Sequence, residues 1–124
     1  MILELVLQNI LADQITAEID TGAGTSVFRF ETAGDAEVAE IDLQNPSFGA
    51  ASAGVITLLG VTLSDLSAVG GTTVQASIFD RDGTKQLEVT VGTGGTEIII
   101  TSTVIVATEQ VDLTALTLTV PTGP

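Results

Sequence analysis

From residue 25 onward, short runs of alternating apolar and polar residues are separated by glycine-rich breaks. No other feature constrains the chain as much. The sharpest instance is Arg81-Asp82-Gly83-Thr84. Before it, Val74, Ala76 and Ile78 alternate with Gln75, Ser77 and Phe79; after it, Leu87, Val89 and Val91 share one face. Asp-Gly between two such runs predicts a β-hairpin, because glycine enters positive φ at little cost.

The same two-residue period recurs elsewhere. Phe28 and Phe30 flank Arg29 in Thr25 to Glu31, and Ala39, Ile41 and Leu43 oppose Glu40 and Asp42 before Asn45-Pro46 ends the run. Val55 to Leu63, Glu97 to Ile100 and Val104 to Ala107 are further apolar runs. The last run sets Leu116, Leu118 and Val120 against Thr117 and Thr119. Gly92-Thr93-Gly94-Gly95 reads as a hairpin loop, lacking the lysine and following helix of a phosphate loop. About eight strands without crossover helices predict a mainly β domain, an antiparallel sandwich or jelly roll over residues 25–124.

Residues 1–24 depart from this pattern. Leu7, Ile10, Leu11, Ile15 and Ile19 recur at spacings of three and four, with Gln8, Asp13, Gln14 and Glu18 largely opposite. This predicts one N-terminal helix stopped by Gly22-Ala23-Gly24. The stripe suits either packing on the domain's own core or an arm docking on a partner. Ile2, Leu3, Leu5, Val6, Leu7 and Ile10 exceed what one helix stripe needs, so Met1 to Leu11 is the expected partner-facing or intersubunit segment.

Composition narrows function mainly by exclusion. Without Cys or His there is no disulfide, no thiolate nucleophile or ligand, and no imidazole to act as general base or metal ligand. Serines have no histidine to activate them, so no enzyme and no cofactor are expected. Three Lys and Arg against 16 Asp and Glu argue against nucleic acid and anionic membranes. The apolar start has no basic flank and is far shorter than a bilayer span, so a soluble chain is expected.

Two acidic features invite chemistry. Asp80-Arg81-Asp82-Gly83 begins like a calcium loop, but position 12 falls on Val91, leaving a hairpin turn or a site outside the EF-hand pattern using Asp80 or Asp82. Asp35, Glu37, Glu40 and Asp42 cluster like a hydrolytic carboxylate pair. Their alternation with apolar residues instead marks a solvated strand face. No metal site is expected.

Three stretches carry a resemblance. They are Ile10 to Phe30, with its helix, Gly/Ala turn and aromatic strand; Ile41 to Val55, containing Asn45-Pro46-Ser47-Phe48-Gly49; and Ser77 to Thr84 with Val91-Gly92-Thr93, closing on Leu116 to Pro121. Together they resemble small virion proteins of tailed bacteriophages and prophages, of the capsid decoration or cement type. The resemblance implies a jelly-roll fold, residence on the capsid surface, the major capsid protein as partner, and homo-oligomers, trimers being favoured. It supplies no catalytic residues. The alternative is a tail- or fibre-associated module binding host carbohydrate, for which Phe48 is the available aromatic platform.

Overall fold

The computed structural model describes residues 2–121; Met1, at the start of the expected docking segment, and residues 122–124 lie outside them. The fold is mainly β with one helix. α1 runs Leu5–Ile19. The strands are β1 (Val27–Glu31), β2 (Glu37–Asp42), β3 (Val55–Thr57), β4 (Leu63–Asp65), β5 (Gly71–Thr72) and β6 (Gln75–Phe79). They continue with β7 (Lys85–Gly92), β8 (Ile98–Ile99), β9 (Val104–Ile105), β10 (Val111–Leu113) and β11 (Thr117–Thr119). A five-stranded sheet has the order β2-β1-β6-β7-β8, and β10-β4, β11-β3 and β5-β9 form two-stranded ladders.

The described residues thus form eleven short strands where about eight were expected. Val55 to Leu63 is not one strand. Gly60 turns there at φ +114°, and the chain re-pairs as β3 with β11 and β4 with β10.

The Asp82-Gly83 hairpin forms as expected, joining β6 to β7 with Ile78 opposite Leu87 and Ala76 opposite Val89. Asp80 holds the turn: its Oδ1 accepts the amides of Asp82 and Thr84, and its Oδ2 accepts Gln86 Nε2. These bonds, the Thr84 amide foremost, keep the Asp80 carboxyl below its ordinary pKa. Its oxygens serve the turn.

Gly92 to Gly95 does not close a hairpin. β8 returns parallel to β7, with Val91 beside Ile98. Thr90 and Glu97 fold the loop back: Glu97 N donates to Thr90 Oγ1 at 3.0 Å, and Thr90 N to Glu97 Oε1 at 3.4 Å. The sheet is therefore mixed rather than wholly antiparallel.

Register sorts the sheet into two faces. Phe28, Ile41, Ile78 and Leu87 align across four strands, as do Phe30, Ala39, Ala76 and Val89. This apolar face carries the core, which continues through Ile56, Leu58, Val120 and the α1 residues Ala12 and Ile19. Ile15 of α1 and Leu116 to Thr119 around β11 face it across a cleft of about 330 Å³. In the last run Leu116 and Leu118 are half-buried and Val120 is buried, while both threonines are exposed, as the alternation predicts.

Candidate functional site

α1 is where the structure departs most from the expected pattern. Of the apolar residues spaced at three and four, Ile15 and Ile19 turn toward the core, whereas Leu7, Ile10 and Leu11 are exposed. Val6 and Ile10 retain 73% and 58% of their accessible surface, and Ile2 retains 74%. Leu5 is also exposed, and Leu3 is half-buried against the core. Of the expected docking residues, all but Leu3 are exposed.

Polar side chains, together with buried Ala12 and Ile19, set the helix's orientation. Asn9, Asp13, Thr16 and Asp20 recur every three or four residues and form one stripe. That stripe faces the chain between Ser47 and Gly54. Asn9 Oδ1 accepts the Gly54 amide at 2.8 Å, and Asp13 Oδ1 the Ala51 amide at 2.7 Å. The Asp20 carboxylate accepts the Ser47 amide at 3.1 and 3.2 Å. The 47–54 segment offers these amides because its two isolated bridges, Phe48 with Leu58 and Ser52 with Val55, leave them free. Buried amides without acceptors are costly, so the helix presents carboxylates and a carboxamide to them. Asp13, expected on the solvent face, is thus part of an inward latch. Thr16 Oγ1 lies in the same contact, buried without a hydrogen-bond partner.

This latch escaped the sequence reading. Its four-residue spacing is visible, but the apolar residues have an equally regular spacing. Only the free donors of the 47–54 segment decide between them. Phe48, the aromatic platform of the carbohydrate alternative, is 2% exposed and fills the core.

A second cluster occupies the sheet's other face. Glu31 has no accessible surface and stands beside Arg29, Lys85, Ser77 and Gln75. Arg29 Nη2 lies 3.0 Å from Glu31 Oε2 and Lys85 Nζ 3.2 Å from Oε1. Ser77 Oγ and Gln75 Nε2 also donate to Oε1. Burial alone would raise the Glu31 pKa, but the donors from Ser77, Gln75, Lys85 and Arg29 outweigh it and hold the carboxyl below its ordinary value. The Arg29 guanidinium also stacks 4.2 Å over Phe79. Glu40, across from Arg29, is raised by burial and by neighbouring Glu37.

The carboxylates of Glu31, Asp35 and Glu88 converge within 4.8 Å of one another, near enough to hold a cation. Lys85 Nζ lies among them, at 3.2, 3.7 and 2.9 Å respectively. The hydrogen bond to Glu88, followed by those to Glu31, raises the Lys85 pKa. The chain's own ammonium thus supplies the cation, and the cluster is a structural ion-pair network. Of the four carboxylates singled out in the sequence, Asp35 and Glu40 join its edge, while Asp42 is exposed.

No protein-family model matches the chain, and no significant relative emerges among curated proteins or solved structures. No helix among the described residues is long and apolar enough to cross a membrane.

Proposed function

We propose that this chain is a non-catalytic assembly protein of the capsid decoration type, seated on major capsid subunits through the outer face of α1. The observation that carries this reading is the orientation of α1. Its polar stripe, with Ala12, Ile15 and Ile19, faces its own domain, while Val6, Leu7, Ile10 and Leu11 face out. A helix serving only its own domain would turn such residues inward. Burying Val6, Leu7, Ile10 and Leu11 against a partner would contribute about 1.5–3 kcal/mol each, less the ordering cost.

In this reading the five-stranded sheet and the ladders covering its apolar face form an irregular jelly-roll-type sandwich. Bridging neighbouring subunits lets many modest contacts stabilise a closed shell. In this reading the protein resides on the virion surface, and copies that repel one another in solution assemble as trimers only on the shell. The resemblance noted in the sequence supplies the class, and the exposed helix face supplies the contact.

The test uses shells stripped of the protein. Wild type and a Val6→Ser/Ile10→Ser variant are added back, and occupancy is counted by cryo-electron microscopy. The proposal expects wild type over the whole shell and the variant largely absent. Wild type confined to one vertex, or equal occupancy by both proteins, would overturn it.

A further inference from the structure

The exposed apolar surface does not end at the helix. Leu11 stands on the outer face of α1 and also lines a groove of about 410 Å³ with Ile15, Leu87, Val120 and Pro121. Gln14, Glu18 and Gln86 supply its polar lining. Ile15 and Leu87 also line the cleft between β7 and β11, where the charged residues are Glu97 and Glu88, the latter's carboxylate held by Lys85 on the sheet's other face. Ridge, groove and cleft therefore form one apolar trough whose charged residues are all acidic.

The chain's few cations are committed elsewhere. Arg29 and Lys85 converge on Glu31. Arg81 donates from Nε to the Gly24 carbonyl at 2.8 Å. Neither α1 nor the trough carries a basic residue. A second copy could match the trough in hydrophobicity, but it would bring another net charge of -13 and set acid against acid. A different chain with lysine or arginine beside its apolar residues would match both properties.

We infer that the trough receives an amphipathic segment of another protein, its apolar side chains flanked by Lys or Arg. This rests on α1 being the docking surface and specifies the chemistry of the opposing surface. The partner's apolar side chains enter between Leu11 and Val120. Its basic groups meet Glu18 on one side and Glu97 on the other. Long basic stems also cover apolar surface while their charges stay hydrated.

The test uses the full chain and two labelled amphipathic peptides of about 18 residues, five helical turns. One is built from Leu and Lys, the other from Leu and Glu on the same pattern. Affinity is read by fluorescence anisotropy. Wild type should bind the Leu/Lys peptide saturably, one to one, and leave the Leu/Glu peptide free. Glu18→Lys should weaken binding about tenfold, whereas Asp42→Lys, the same charge change on the sheet's opposite face, should alter it no more than about twofold.

Equal binding of both peptides, or of neither, would refute the inference. So would equal losses from the two charge reversals, which would mean general attraction to an acidic chain. A dimer by sedimentation that dissociates in Val6→Ser/Ile10→Ser would make a second copy the occupant and overturn it as well. If the double variant fails to load shells while the peptides show no charge preference, the capsid reading stands and this inference falls. If the peptides discriminate but wild type ignores shells, the reverse holds.

Discussion

Replacing Asn9 with Ala removes the acceptor of the Gly54 amide, a 2.8 Å bond to a buried residue. A buried donor left without a partner costs about 1–3 kcal/mol, and the better helix propensity of alanine returns about 0.5 kcal/mol. The expected net loss is therefore about 1–2 kcal/mol. Asp20→Ala frees the amide of fully buried Ser47 from a carboxylate and should cost about 1.5–3 kcal/mol. Asp13→Ala breaks an exposed bond and should cost about 0.5–1 kcal/mol. The triple variant should fall short of the sum, because all three bonds hold one segment. Urea unfolding gives the stabilities. Amide hydrogen exchange at Ser47, Ala51 and Gly54 reports the latch itself, about tenfold faster per 1.4 kcal/mol of lost protection. Gln14→Ala, whose amide reaches only Glu18 on the outer side, should change neither reading. Asn9→Ala and Asp20→Ala both within about 0.5 kcal/mol of wild type, with unchanged exchange, would refute the latch.

Other expectations concern the sheet's charged face and the helix contact. Glu31→Gln keeps the shape but leaves Arg29 and Lys85 without their shared carboxylate, and should lower urea stability by about 1–3 kcal/mol. Thermal midpoints should be nearly flat from about pH 6 to 9, since the chain has no histidine. Glu31 has a depressed folded pKa, so its contribution is present above the ordinary glutamate value, about 4.3, and is lost as pH falls through the folded value. Glu40, raised by burial and Glu37, partly opposes that loss. Lys85 contributes fully below the ordinary lysine value, about 10.4, and its share is lost as pH rises through its raised folded value. A midpoint shift centred near pH 7 would contradict this assignment. Thr16→Val removes a buried hydroxyl without a partner and should raise urea stability by about 0.5–1 kcal/mol.

What was legible in the sequence was local. The Asp82-Gly83 hairpin, the inward Phe28 and Phe30, and the outward threonines of β11 each depend on neighbours a few residues away. The face of α1 was not legible, because apolar residues lie nearly all round it and its period marks no single inward side. Its orientation depends on amides 27 to 45 residues distant, which no periodicity reveals. Nothing local in the sequence marks Glu31; it is buried where Arg29 beside it and Lys85 across two strand pairings both converge on it. The Gly92 to Gly95 loop reads as a hairpin because glycine signals a turn, whereas the Thr90–Glu97 bonds decide where the chain goes next.

The account turns on α1 presenting Val6, Leu7, Ile10 and Leu11 outward while its polar stripe and Ile19 hold it to the domain. Urea midpoints of Val6→Ser/Ile10→Ser and Ile19→Ala test this most directly. Ile19 is fully buried, so its truncation should cost about 2–5 kcal/mol. The double serine variant should remain within about 0.5 kcal/mol of wild type, because its side chains already face water. A loss in the double variant comparable to that of Ile19→Ala would place Val6 and Ile10 in the domain's own core and contradict the account.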